Sequence, residues 1–280
     1  MPATATSLDH KGRSIRLKWH QLRQKPDDPP FSPANLRAGL AVGASLEVDL
    51  QPLADGEWVC LHDAELAGET DGTGPVARLR ADEARQLRIK TGDFAPMLLS
   101  DLVSALEGSR PGACLQIDLK AEPGAVTKQA AARFAALVDP VARHCLLSGP
   151  DWAAVTNLGA SVAGLRLGYD PSDLLAELAP FGRSEIEATL KGVRRDTPGA
   201  AAYYLSHEIV AAAMKAGINP VGALQDRGAM LDVWTLDPTT PYCPERLAMA
   251  AEAGADQITT NDPDGIAAIW ARQPSLRGAE

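Results

Sequence analysis

The sequence predicts an α/β protein folded as a single-domain (β/α)8 barrel of the TIM type. Short β-branched or Leu-rich runs alternate with longer Ala-rich runs at helical spacing from the first residues to the last, the pattern of parallel strands joined by helices. The chain has 280 residues against about 250 in a typical barrel, which leaves room for short tails and none for a second domain. Linkers, heptads and low-complexity tracts are absent from the sequence. The expected division is an N-terminal tail over 1–14, a barrel over 15–272 and a C-terminal tail over 273–280.

Taken in order, the strand candidates are 15–19, 45–50, 115–119, 145–148, 164–167, 202–205, 219–222, 232–236 and 257–260. That is one more than a barrel closes, and 219–222 is the weakest. Helices are expected at 33–42, 100–107, 125–137, 151–158, 171–178, 184–194, 207–216, 244–253 and 263–272. Several begin on Ser, Asp or Pro, residues that cap or open a helix. The Pro-rich segment 25–30 follows the first strand, where a barrel keeps an active-site loop; a rigid strand-to-helix connection is the other reading.

Composition narrows the function classes. With 27 Lys+Arg against 36 Asp+Glu the formal net charge is −9, which argues against non-specific nucleic-acid binding and against stable docking on anionic membranes. On its face it also disfavours an anionic substrate. Hydrophobic residues make up 45% and charged residues 22%, an ordinary globular balance. Cys60, Cys114, Cys145 and Cys243 lie far apart with no CxxC pair, so buried free thiols are expected and not a zinc knuckle or redox dithiol. The N-terminal residues carry charge throughout and no run of roughly 20 apolar residues occurs, so a soluble cytoplasmic protein is expected.

In a barrel the chemistry projects from the C-terminal ends of the strands, so ionisable residues that close an apolar run are the candidates. Glu47 and Asp49 in Leu46-Glu47-Val48-Asp49-Leu50 share one strand face, roughly 7 Å apart. Two inward carboxylates repel unless a positive charge lies between them, and a hard divalent cation with oxygen ligands meets that need. Alternatively both face solvent at the strand end, paired with Lys or Arg. Asp118 and Lys120 share a face at the end of Leu115-Gln116-Ile117-Asp118-Leu119-Lys120. There the acid would complete a metal site and the lysine would meet a phosphate oxygen as a point charge, unless the two simply pair with each other. Trp58-Val59-Cys60-Leu61-His62-Asp63 closes on a histidine able to exchange a proton near neutral pH, and His20 ends the first strand. His10, His144 and His207 lack such a context and are read as structural.

These residues are familiar as a set. Glu47-Val48-Asp49, Asp55-Gly56, His62-Asp63 and Thr70-Asp71-Gly72-Thr73-Gly74 resemble the N-terminal signature of glycerophosphodiester phosphodiesterases. Asp232-Val233-Trp234-Thr235-Leu236 is similar to that family's Trp-Thr strand, and residues 254–264 to its closing Gly-x-Asp-x-Ile segment. The resemblance covers about residues 15 to 270, with 125 to 230 carried by element order alone. It implies a TIM barrel that uses Mg²⁺ or Ca²⁺ to hydrolyse a small soluble glycerophosphodiester to glycerol 3-phosphate and an alcohol. It implies Glu47, Asp49 and Asp118 as metal ligands, His20 and His62 as acid and base, and Lys120 and Trp234 as substrate contacts.

The chain also departs from the family. His20-Gln21-Leu22-Arg23 stands where His-Arg-Gly is usual, Asn35 follows where Glu-Asn-Thr is usual, and Asp118 replaces the commoner Glu. Arg23, or Lys18 before it, is the candidate to replace the missing arginine at the phosphate. Asp-Leu-Lys without that arginine is similar to the sphingomyelinase D-type phospholipases, which share the barrel. A barrel that binds a phosphodiester without turning it over, and a phosphosugar isomerase or aldolase, are the remaining readings. The oligomeric state is not legible in the sequence.

Overall fold

The computed structural model describes residues 4–107, 109, 113–121, 124–176, 183–224 and 228–273. Its strands are β1 (Ser7–His10), β2 (Arg13–Trp19), β3 (Ser45–Pro52), β4 (Trp58–Cys60), β5 (Cys114–Leu119), β6 (Cys145–Ser148), β7 (Arg166–Tyr169), β8 (Ala202–Ser206), β9 (Met230–Trp234) and β10 (Gln257–Thr260). The sheet order is β1-β2-β10-β9-β8-β7-β6-β5-β3-β4, and β2 also pairs with β3. That last pairing closes the eight strands other than β1 and β4 into a parallel barrel, the fold the sequence predicts. Two compact units make up the chain, residues 1–19 with 168–280 and residues 20–167.

In the unit 20–167, β3 is buried along its whole length, as befits a strand covered on both faces. It runs parallel to β5 with Glu47 opposite Gln116 and Asp49 opposite Asp118. The helix Pro33–Val42 starts on Ser32, whose side chain accepts the Asn35 N–H, has Pro33 in its first turn, and stops at Gly43 with φ 73°. The conformation at Gly43 is left-handed, which glycine adopts without the clash of a Cβ. Between β3 and the helix Leu99–Leu106 the chain makes an excursion around a small apolar core of Leu53, Val59, Leu61, Leu66, Val76, Ile89 and their neighbours. Trp58 anchors its base: the indole Nε1 donates to the Ala130 carbonyl at 2.9 Å and the ring packs edge-on against Phe134. Burying a ring such as Phe134 stabilises the fold by about 3 kcal/mol.

In the unit formed by 1–19 and 168–280, β1 folds back on β2 as an antiparallel hairpin turned by Lys11 and Gly12, both at positive φ. Strand β1 and strand β4 were not among the expected strands; the first lies inside the segment read as a tail. The apolar faces of β2 and β8–β10 meet the helices His207–Lys215, Cys243–Ala253 and Pro263–Ala271 in one core. The expected strand at 219–222 is instead a helix, Pro220–Leu224. Pro220 has no N–H to give a ladder, and the Asn219 side chain accepts the Gly222 N–H at 3.1 Å, which starts a helical turn. The strand expected at 164–167 begins at Arg166, because Gly164 is left-handed at φ 74°. Of the helix expected at 171–178, Ser172–Ala176 is present; residues 177 and 178, and 274–280 of the expected C-terminal tail, lie outside the described residues. No helix among the described residues is long and apolar enough to cross a membrane.

Candidate active site

Alternation along β3 puts Glu47, Asp49 and Gln51 on one face, and each of them holds a different piece of the site. Glu47 is 4% exposed and Asp49 2%, so the reading in which the pair faces solvent fails. Glu47 Oε2 accepts the backbone N–H of Gln21 at 2.7 Å, and Asp49 Oδ2 accepts the Gln21 carboxamide at 2.9 Å. Gln21 stands in the left-handed region at φ 51° and Leu22 at φ 63°, which costs about 1–2 kcal/mol per residue for L-amino acids. The two carboxylates hold the turn there, and the Phe31 N–H bonds back to the Gln21 carbonyl at 2.8 Å.

Lys120 sits across β3 and β5. Its Nζ lies 2.8 Å from Asp118 Oδ2 and 3.3 Å from Asp49 Oδ1, so the pairing of Asp118 with Lys120 is present and extends to a second acid. Burial pulls the lysine pKa down, but the charges of Asp118 and Asp49 outweigh it and carry the pKa well above the usual value. Lys120 therefore stays an ammonium at any working pH. Asp118 Oδ1 accepts the Ser148 hydroxyl at 2.7 Å, and Gln116 in turn donates to Ser148 Oγ at 2.8 Å.

His62 follows β4 and is half-exposed. Its Nδ1 lies 3.0 Å from Asp63 Oδ1, which leaves Nε2 as the ring atom available for proton exchange. Gln51 reaches this turn from β3: its carboxamide Nε2 donates to the carbonyls of Leu61 at 2.9 Å, His62 at 3.2 Å and Asp63 at 2.8 Å. From the other side Glu69 Oε2 accepts the N–H of His62 at 2.7 Å and of Asp63 at 2.8 Å. His20 opens the 3-10 turn His20–Leu22 at the end of β2, one residue before the Gln21 that is tied to Glu47 and Asp49.

Arg23 closes that turn, with its N–H on the His20 carbonyl at 3.0 Å. Its Nε is buried and has no hydrogen-bond partner among the described residues. The Pro-rich segment beyond it is a hydrogen-bonded connection: Asp28 Oδ2 accepts the N–H groups of Gln24 and Lys25 and the Asn35 carboxamide. Lys18, the alternative to Arg23, is engaged by an acid on β9. It is buried, with Nζ 3.0 Å from Asp232 Oδ2 and 4.5 Å from the centre of the Tyr204 ring. Trp234 ends β9 in the other unit, its Nε1 buried without a partner among the described residues.

The other expected bystanders behave as structural groups. His10 packs on Trp270, and His207 holds Arg246 at 2.7 Å, with burial pressing its pKa down. Cys60, Cys145 and Cys243 are buried free thiols, and Cys114 is partly exposed. Burial raises the Cys145 thiol to about 12, so it is inert at neutral pH. Sequence reasoning missed Gln21, Gln51, Ser148 and Glu69. Gln51 extends the Glu-x-Asp alternation by one more step, a signal that was there to be used; the other three are visible only through their partners.

The donors fit a hard divalent cation in chemistry and charge. Glu47, Asp49 and Asp118 offer only carboxylate oxygens, the ligands Mg²⁺ and Ca²⁺ take, and the ammonium of Lys120 lies against Asp49 and Asp118. Carboxylates buried near one another need a positive charge between them to stay ionised. Among the described residues no three acidic, His or Cys side chains are already gathered as a ligand set; Gln21 and Lys120 bridge them instead.

Fold and site together describe a barrel with carboxylates and a lysine at the ends of its strands, where barrels carry their chemistry. A family model described as the glycerophosphoryl diester phosphodiesterase family matches residues 32–136, the stretch that holds β3, His62, Glu69, Asp118 and Lys120. Solved structures share the fold over nearly the whole chain. A candidate glycerophosphoryl diester phosphodiesterase of Agrobacterium tumefaciens superposes with a TM-score of 0.70 at 18% identity, over 93% of this chain and 99% of that one. A glycerophosphodiester phosphodiesterase of Parabacteroides distasonis gives 0.68 at 16% identity, over 95% and 99%. A phosphodiesterase of Oleispira antarctica, solved with the product sn-glycerol-3-phosphate, gives 0.65 at 17% identity, over 90% and 95%. No curated protein matches the chain in sequence. Residues 32–136 are thus similar to the glycerophosphoryl diester phosphodiesterase family, and the solved structures share the barrel fold.

Proposed function

We propose that the protein hydrolyses a small, soluble glycerophosphodiester to glycerol 3-phosphate and an alcohol. One observation carries the reading: the three polar side chains on one face of β3 tie the His20 turn, Lys120 and the His62 turn to a single strand. The Oleispira antarctica phosphodiesterase, whose structure holds glycerol 3-phosphate, supports the same substrate class.

Glu47, Asp49 and Asp118 would hold a divalent cation, Mg²⁺ or Ca²⁺. When bound, such an ion withdraws charge from a phosphoryl oxygen as a Lewis acid. The protein's own groups do the rest. Lys120 presents a permanent ammonium to the charge that builds on the phosphoryl oxygens, and the unpartnered Nε of Arg23 is a donor for the same anion. One of His20 and His62 takes the proton of the attacking hydroxyl, and the other gives a proton to the departing alkoxide, a poor leaving group at neutral pH. Asp63 on Nδ1 fixes the His62 tautomer, so that Nε2 is where the proton moves. Attack by a glycerol hydroxyl of the substrate, with a cyclic phosphate opened afterwards by water, and direct attack by water make the same demand on both histidines.

The test is release of glycerol 3-phosphate from glycerophosphocholine, glycerophosphoethanolamine and glycerophosphoglycerol with Mg²⁺, Ca²⁺ or Mn²⁺. Turnover is expected, EDTA is expected to abolish it, and His62→Ala is expected to remove it without unfolding the protein, because the ring is half-exposed. Silence across the panel with all three metals would refute the assignment. Tight binding of the diesters with no product would instead favour a non-catalytic barrel, and turnover confined to sphingomyelin-type lipids the phospholipase reading.

A further inference from the structure

We propose that Gly68 and Glu69 form a positioning device for His62, one holding its backbone and the other leaving room for its ring partner; the inference rests on the catalytic role given to His62 above. Both residues belong to the one-turn helix Leu66–Glu69. The device has three parts.

The first is the Glu69 carboxylate. A single oxygen, Oε2, accepts the two consecutive N–H groups of His62 and Asp63 at 2.7 and 2.8 Å. Neither N–H belongs to a strand or helix, so without Glu69 both lose the partner that fixes the turn. No cation pairs with Glu69 among the described ion pairs, so its service is to the two N–H groups alone. Burial raises its pKa and those N–H groups pull it back down.

The second part is the absence of a side chain at residue 68. A Cβ built on Gly68 would fall inside the contact radius of Asp63 Oδ2. The backbone there is not left-handed, so the position does not need glycine for its φ. It needs glycine so that the Asp63 carboxylate can lie over the helix and reach His62 Nδ1 at 3.0 Å. The third part is Gln51, whose carboxamide grips the carbonyl side of the same turn. Backbone donors and acceptors on both sides of His62 are thus fixed by side chains rooted in two different elements, β3 and the one-turn helix. Thr70 secures that helix in turn, with its hydroxyl on the Leu66 carbonyl at 2.9 Å.

The experiment compares Glu69→Ala, Glu69→Gln, Gly68→Ala, Asp63→Ala and the double variant Gly68→Ala/Asp63→Ala. For Glu69→Ala, kcat on a glycerophosphodiester is expected to fall by about tenfold to a hundredfold with KM little changed, the loss that accompanies a catalytic group displaced by up to an ångström. Glu69→Gln is expected to restore most of it, because the amide oxygen accepts the same two N–H groups. Gly68→Ala is expected to lower kcat in the wild-type background and to have little further effect in the Asp63→Ala background, where of the atoms in its way only the residue 63 Cβ, at 3.2 Å, remains. In parallel, the backbone amide ¹H and ¹⁵N resonances of His62 and Asp63 are expected to move in Glu69→Ala and to return toward wild type in Glu69→Gln.

Equal loss in Glu69→Ala and Glu69→Gln, additive effects of Gly68→Ala and Asp63→Ala, or unmoved amide resonances beside an active wild type would each overturn the device. A wild type silent on every diester, with the amide resonances moving as described, would remove the assigned activity and leave the two-residue clamp on the turn standing.

Discussion

Replacing Lys18 by methionine removes the ammonium from a site where it has no access to solvent. Lys18 is 1% exposed and Asp232 0%, with Nζ and Oδ2 3.0 Å apart. Asp232 also accepts the Thr259 hydroxyl at 2.6 Å and the Gln257 carboxamide at 2.5 Å. Those neutral donors remain in Lys18→Met, but they do not cancel a full charge held away from water. Breaking such a pair from one side costs about 3–5 kcal/mol, a large part of the roughly 5–15 kcal/mol that holds a domain together. At roughly 2–3 °C per kcal/mol for a chain of this size, the melting temperature should fall by about 10 °C.

The double variant Lys18→Met/Asp232→Asn carries neither charge and should recover about half of that loss, so the two substitutions are strongly non-additive in a urea-unfolding cycle. Activity supplies the second reading. Because Lys18 is spent on Asp232, the remaining folded Lys18→Met protein should keep its KM for a glycerophosphodiester within about threefold, well under the tenfold that corresponds to 1.4 kcal/mol of lost substrate binding. A stability loss under about 1 kcal/mol, or a KM raised by tenfold or more, would refute the reasoning and return Lys18 to the list of phosphate contacts.

Arg23→Ala should raise KM by about tenfold, the loss of roughly one charge-assisted hydrogen bond, and should not lower the urea midpoint, since the buried Nε it removes has no partner to lose; an unchanged KM would take Arg23 out of the site. Glu69 gives a pH signature with a definite sign. Its folded-state pKa is raised, so the folded protein binds the proton more tightly than the unfolded chain does. Its contribution to stability is therefore present below the unfolded value of about 4.3 and is lost as pH rises through the folded value. Urea midpoints of wild type and Glu69→Gln, compared from pH 4 to 7, should converge as pH falls and separate in favour of the variant as it rises; a wild type that gains on the variant with rising pH would contradict the shift.

How far the site was legible depended on what each residue does. Glu47, Asp49, Asp118 and Lys120 could be read because a charge that interrupts an apolar run at every second position has few places to go in a buried strand. Gln51 and Glu69 act on backbone N–H and C=O groups, and Gln21 acts on Asp49 from a turn outside the strand; such work leaves no mark on charge pattern or periodicity. The barrel strands were legible from their apolar runs, whereas β4 and the one-turn helix after it are too short for any period to show. The error at 219–222 has the same root: Ile218 and Val221 look like strand residues until Asn219-Pro220 is read as a helix start. The glycine at residue 68 falls outside every motif read from the sequence, because the atom that requires its small size belongs to Asp63, five residues earlier.

The alternation of β3 has a consequence for how errors in this protein would show themselves. Glu47, Asp49 and Gln51 hold their partners only while β3 keeps its pairing with β5, Asp49 against Asp118. An odd slip of that pairing would turn all three away from the site at once, and an even slip would keep a polar face inward while handing each task to the wrong residue. Neither leaves a half-built centre. Turnover in this protein is therefore also a gauge of strand alignment, and single-residue insertions in β3 should separate chains that merely fold from chains that fold in register.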